Sequence, residues 1–202
     1  MKLYYTPAAC SLSPHIVARE AGFDPELVLV DLQTKKTKDG GDFLKISPNG
    51  YVPALQLDSG EILTEGPAIV QYLADRKPEA KLAPANGTLP RYQLQSWLNF
   101  ITSELHKSFS PLFNPQTPAE VRNTTLERIG TRFDHVSKAL EGKPFLTGDQ
   151  FTVADAYLFV VLNWTNFVKI DLGNWPTLKA FHGRVAARPA VQAALKAEGL
   201  LK

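Results

Sequence analysis

The chain holds one cysteine, Cys10, among its 202 residues. No internal disulfide is possible, and a reducing compartment would leave this side chain as a free thiol. Long apolar runs are missing too. The longest, from Val153 to Leu162, is interrupted by Asp155 and is too short to cross a bilayer. The opening residues show no charged segment followed by an apolar stretch, so nothing suggests export and a cytosolic home is expected. Charge of one sign is scarce as well: 22 basic and 20 acidic side chains leave a net charge of +2. Without a basic block, charge implies neither nucleic acid nor an anionic membrane as a partner. The nearest approach to one, "KKTKDGG" at 35–41, reads as a solvated loop.

With 44% hydrophobic and 21% charged residues, the composition is that of globular material long enough for one large domain or two small ones. The first eighty residues alternate between strand and helix patterns, the mark of an α/β unit. "KLYY" reads as a strand, and "SPHIVAREAG" as a helix with Ser13 as N-cap, Pro14 in its first turn and Gly22 as its stop. "LVLVDL" is a second strand, and the crossover leading to it is long enough to make the pair parallel. "VPALQLD" and "EILTEG" form a hairpin through Ser59-Gly60, and "PAIVQYLADR" is a helix. The proline-rich "PEAKLAPANGTLP" then denies any regular element a continuous run. A boundary there gives two domains, 1–80 and 81–202. Beyond it, residues 91–112, 119–141, 153–169 and 177–198 carry helical patterns. "FTVADAYLFVVLNW" is apolar on nearly every side and should be the central helix.

Cys10 falls after a strand and before a helix whose first turn presents unpaired N–H groups, a setting that lowers a thiol pKa and favours the nucleophilic thiolate. Free cysteine is often a small buried hydrophobe, but Ser11, Ser13 and Pro14 make a Cys-x-x-Ser run opening a helix, which points to reactivity. In "NGYVPALQ", Val52-Pro53 sits where a strand begins, and a cis bond there would leave the Val52 backbone free to pair with an extended peptide. In "LTEGPAI", Glu65 and Gly66 precede a helix start, which suits the zwitterionic end of a peptide. On a helical wheel Leu94, Trp97, Leu98, Ile101, Leu105, Phe109 and Leu112 gather on one side and Asn99, Ser103 and His106 on the other. "FTVAD" places Thr152 three residues before Asp155, a capping-box spacing with a structural role.

Together these residues resemble the cytosolic glutathione S-transferases, the bacterial beta class most closely. The resemblance runs the whole chain, through "YYTPAACSLSPH", "NGYVPAL", "LTEGPAIVQYLAD", "WLNFITSELHKSFSPLF" and "FTVADAYLF". It implies a thioredoxin-like glutathione-binding domain followed by an all-helical domain, a cytoplasmic homodimer, and glutathione bound at the domain junction. It implies no metal, and no cofactor beyond glutathione as co-substrate. By the same resemblance Cys10 lies beside the glutathione sulfur, Val52 before the cis-proline Pro53 pairs with the cysteinyl backbone, Glu65 and Gly66 take the γ-glutamyl end, and Lys35 takes the glycyl carboxylate. His106 points at the sulfur region with Ser103 and Lys107 nearby, and Asn99 serves the ligand of the partner subunit.

The implied chemistry is attack by the glutathione thiolate on a small hydrophobic electrophile. Tyr5, Ser11, Cys10 and His106 are candidates to stabilise the thiolate, with Cys10 and His106 first. The electrophile is expected near Phe109, Phe113 and Trp164. Cys10 also has the spacing of a monothiol glutaredoxin, so glutathione-dependent disulfide exchange or reductive dehalogenation is the alternative. A binding module that kept the fold without the activity is a third reading.

Overall fold

The computed structural model describes residues 1–201. Contacts group them into two compact units: Met1–Ala83 together with the chain from Ala187 onward, and Pro84–Ala186. The first break falls between Ala83 and Pro84, inside the proline-rich stretch. The C-terminal segment, assigned from the sequence to the helical domain, packs into the first unit instead.

The first unit is built on β1 (Lys2–Tyr5), α1 (Leu12–Glu20), β2 (Glu26–Asp31), β3 (Lys36–Thr37), β4 (Ala54–Gln56), β5 (Ile62–Thr64) and α2 (Gly66–Arg76). The sheet order is β3-β2-β1-β4-β5. β1 and β2 are parallel, as the long crossover requires, and the other three pairings are antiparallel. This β-α-β unit followed by a hairpin and a helix is the thioredoxin-like arrangement. Two details depart from expectation. The "KKTKDGG" loop contributes β3, because Thr37 N–H closes on Gly41 C=O and holds Lys36 and Thr37 against β2. Helix α1 starts at Leu12 with Ser11, not Ser13, at its N-cap, since hydrogen-bonded turns from Thr6 onward already wind the chain into the helix. Gly22, at φ +76°, ends α1 as read, in the left-handed conformation that glycine takes without cost.

The second unit is helical. α3 (Leu89–Phe100) runs through a π-helical stretch, Ile101–His106, into α4 (Lys107–Phe113); α5 (Ala119–Ala139), α6 (Val153–Asn163), α7 (Thr165–Val168) and α8 (Pro176–Ala186) follow. Every residue of α6 from Val153 to Leu162 is buried, which is why that stretch is apolar all round. At its start Asp155 Oδ2 accepts hydrogen bonds from the N–H and the hydroxyl of Thr152, both at 2.8 Å, while Oδ1 accepts from Leu146 N–H at 2.8 Å. Burial pushes the Asp155 pKa up to about 6 against the pull of these bonds.

The helix expected over 177–198 is two helices. Pro189 lacks the N–H that would continue α8 and holds Arg188 extended at ψ 134°, so α9 (Pro189–Ala197) starts afresh and lies against α1.

Candidate functional site

In the first unit the sheet register sets Tyr4 beside Ala54, and Ala54 beside Thr64. Three loops therefore emerge together: Thr6–Ser11, Tyr51–Pro53 and Glu65–Gly66. Cys10 is half-buried, and its thiol donates to the Val52 carbonyl at 3.2 Å. Val52 was expected to keep both backbone groups for a peptide; its carbonyl already receives this thiol, so a ligand donor must use the second lone pair. The Val52-Pro53 bond is cis, and Gly66 faces the Pro53 ring.

Glu65 is one of the non-glycine residues with positive φ. At φ 66° and ψ 116° it sits where side-chain-bearing residues pay roughly 1–3 kcal/mol, held by Ala68 and Ile69 N–H groups donating to its carbonyl. Such strain concentrates at ligand clamps, and Glu65 keeps its side chain exposed at the N-terminus of α2. Lys35 donates from Nζ to the Gly50 carbonyl at 2.9 Å and lies 5.6 Å from the centre of the Tyr51 ring. Tyr51, 68% exposed, was missed in the sequence, where its only signal is an aromatic residue beside Val52.

Ser11 does not face a ligand. It is fully buried, and its hydroxyl accepts from Thr6 N–H and donates to Thr6 C=O, stapling the loop that carries Cys10. Tyr5 is half-buried; burial, then the Glu198 carboxylate, raise its pKa, so its phenol stays a donor.

In the helical unit, Asn99, Ser103 and Lys107 are exposed along the α3–α4 helix, with Ser103 Oγ turned back to the Asn99 carbonyl at 3.0 Å. His106 is not on an open polar stripe. The π stretch, in which Lys107 N–H reaches back to Thr102, changes the phase assumed by a regular wheel. His106 is half-buried instead, with Nδ1 2.6 Å from the Tyr157 hydroxyl and its ring edge-on to Trp164 at 4.7 Å. Burial, then the Lys107 charge, push its pKa down to about 4. The ring is neutral at physiological pH, with one donor and one acceptor nitrogen. A His106 resonance followed by NMR is expected to titrate near pH 4; an inflection between 6 and 7 would contradict this environment. Since the folded pKa lies below the ordinary value of 6.5, the unfolded chain takes up the proton first. The stability this residue contributes is whole above about 6.5 and drains away as pH falls toward 4.

Phe109, Phe113 and Trp164 pack on one another at ring distances of 5.7–6.4 Å. Phe109 is completely buried and Trp164 nearly so, which makes them core; only Phe113, 49% exposed, offers an open apolar face. The expected electrophile pocket thus reduces to one accessible ring of the three.

A thioredoxin-like sheet with a reactive-type thiol beside a cis-proline, followed by an all-helical unit, defines a class of thiol-handling protein. Comparison with known proteins narrows it. Residues 1–75 match the family model "Glutathione S-transferase, N-terminal domain" and residues 100–189 match "Glutathione S-transferase, C-terminal domain". The chain is 48% identical over 200 residues to glutathione S-transferase GstA of Escherichia coli O157:H7, covering 99% of this chain and 100% of that one. Among solved structures, BphK, a bacterial glutathione S-transferase, superposes with a TM-score of 0.97 at 62% identity, covering 99% and 100% of the two chains. The bacterial beta class glutathione S-transferase of Sphingomonas chungbukensis gives 0.96 at 51%, with both chains fully covered. This chain belongs to the glutathione S-transferase family. No helix among the described residues is long and apolar enough to cross a membrane.

Proposed function

We propose that the protein conjugates the thiolate of glutathione to small hydrophobic electrophiles. The observation that carries this reading is the Cys10 thiol held 3.2 Å from the Val52 carbonyl, at the point where three loops meet beside Glu65 and Lys35. That layout suits a tripeptide with a thiol in its middle. The γ-glutamyl end goes to Glu65 and the N–H groups opening α2, the cysteinyl backbone to Val52, and the glycyl carboxylate to Lys35, which Tyr51 and Gly50 hold in place.

The ligand sulfur then lies by Cys10, where a thiol or hydroxyl donor favours its ionised form. Cys10 and Tyr5 are the first unit's donors; neutral His106 is the helical unit's, with Ser103 and Lys107 beside it. The thiolate attacks the electrophilic carbon, and the leaving group departs with the bonding electrons. In this reading the first unit binds glutathione and residues 84–186 supply the electrophile's surroundings, with Phe113 as the exposed ring. The reading includes a homodimer, in which Asn99 of one protomer serves the ligand of the other, and work in the cytoplasm, where Cys10 stays reduced.

Lys35→Ala is expected to raise KM for glutathione about tenfold, the worth of one charge-assisted hydrogen bond, with kcat little changed. Initial rates with a small aromatic halide test it. Unchanged KM would remove Lys35 from the site, and a parent without any glutathione-dependent rate would overturn the reading.

A further inference from the structure

Helix α9 grips α1 at both ends. Near its start, Arg188 Nε and Nη2 donate to the two carboxylate oxygens of Glu20 at 2.6 and 2.9 Å. At its other end Glu198, the residue that closes α9, turns a fully buried carboxylate back into the unit. Its Oε1 lies 2.9 Å from Nδ1 of His15, a side chain of α1 that is equally buried. Arg19 Nε stands 3.5 Å from His15 Nε2, which favours the tautomer carrying its proton on Nδ1, toward Glu198. The second oxygen, Oε2, accepts from the backbone N–H of Ala8 at 3.3 Å.

Ala8 gives this contact its meaning. It lies two residues before Cys10, and its φ of 61° is in the left-handed region that alanine rarely occupies. The Glu198 carboxylate reaches this strained peptide from outside the loop. The Ser11 hydroxyl staples Thr6 at the loop's far side, whereas at Ala8 the Glu198 carboxylate is the buried anion on the peptide N–H. Buried carboxylates are expensive unless fully partnered, so the pair with His15 and the bond to Ala8 hold each other in place.

We propose that Glu198 is a positioning residue for Cys10: by holding Ala8 N–H it fixes the left-handed turn that sets the thiol against the Val52 carbonyl. The inference rests on the glutathione reading for its kinetic consequence alone, since where the thiol stands can be read without glutathione. Glu198 does not touch the reacting atoms. It acts from the far end of the chain, 190 residues beyond Ala8 and 183 beyond His15.

Three variants and two measurements test it. Glu198→Ala is expected to raise KM for glutathione about tenfold with kcat little changed, the loss of one hydrogen bond to a charged group. It should also speed alkylation of Cys10 by iodoacetamide several-fold, because a thiol released from Val52 is more exposed. Glu198→Gln, whose amide oxygen accepts from Ala8 once His15 moves its proton to Nε2 and takes the amide N–H on Nδ1, should recover part of both effects. Arg188→Ala loosens the same helix at its other end; it should lower the thermal midpoint and leave both measurements as in the parent. If Glu198→Ala gives no folded protein, the pair His15→Leu with Glu198→Leu, apolar and close-packed, is read by the same two measurements with the same expectation. Parental KM and alkylation rate in a folded variant lacking the carboxylate would overturn the proposal, as would Arg188→Ala raising KM equally. Should the parent show no glutathione-dependent activity, the functional reading fails, and the alkylation rates still decide the positioning role.

Discussion

Asp155→Ala is expected to lower the thermal midpoint by roughly 6–12 °C, the equivalent of about 3 kcal/mol for a chain of this size. One cap interaction is worth roughly 0.5–2 kcal/mol, and the spacing of Thr152 and Asp155 licenses no more than that. The structure raises the figure, because the carboxylate also accepts from Leu146 N–H in the loop before α6. Alanine would strand the buried Leu146 and Thr152 amides at the entrance to the most buried helix. Affinity for glutathione in the folded fraction should stay as in the parent, since the residue reaches none of the proposed ligand contacts. Calorimetry of both proteins decides the matter, and equal midpoints would refute the structural role.

Cys10→Ser is expected to abolish glutathione-dependent disulfide reduction while retaining a substantial share of conjugation. Conjugation needs only the bound glutathione thiolate, and a serine hydroxyl can still donate to Val52 C=O or to the ligand sulfur as the thiol does. Disulfide exchange differs. The Cys10 thiolate must attack the glutathione sulfur of a mixed disulfide between glutathione and a substrate thiol, take the glutathionyl group and expel the substrate thiolate; a free glutathione thiolate then attacks the Cys10–glutathione bond, releasing the Cys10 thiolate and oxidised glutathione. No other cysteine exists in the chain to resolve the intermediate. Intact-protein mass spectrometry after incubation with oxidised glutathione should show one added glutathionyl group on the parent and none on the variant. An unmodified parent, or a variant reducing disulfides at the parental rate, returns Cys10 to a packing role.

Elements whose signal is local could be read from the chain. The strand-like runs "KLYY" and "LVLVDL", the "VADAYLFVVL" segment that is apolar but for Asp155, and the punctuation by Gly22 and Pro90 each depend on neighbours within one turn or strand. So does the Thr152/Asp155 spacing. What escaped depends on distant partners or on a shift of period. β3 is two residues long and exists because a loop closes on itself beside β2. The π stretch keeps an apolar face that resembles an ordinary helix, so a regular wheel sends His106 to the wrong side. Phe109 was placed in a pocket because an aromatic residue at helical spacing looks the same whether it lines a cavity or fills a core. The break at Pro189 had a visible cause, yet the helical composition on both sides masked it. Nothing near Glu198 announces that its carboxylate belongs with His15 and Ala8.

The candidate site residues of the first unit have the more local signal, because Cys10, Val52-Pro53 and Glu65-Gly66 lie in or at the end of the loops that join strands to helices or to one another. Cys10, Val52-Pro53 and Glu65-Gly66 carry backbone consequences that residue type alone suggests, and the sheet register then gathers them. The contact of Tyr51 with Lys35 and the inward turn of Ser11 depend on packing that the local sequence does not signal.

The measurement closest to the central claim is a crystal structure of the protein grown with glutathione. The ligand sulfur is expected in contact with Cys10 Sγ, bonded or adjacent, with its cysteinyl backbone paired to Val52, its γ-glutamyl end at Glu65 and Gly66, and its glycyl carboxylate at Lys35. Glutathione bound away from Cys10 and Val52, or absent at saturating concentration, would contradict it.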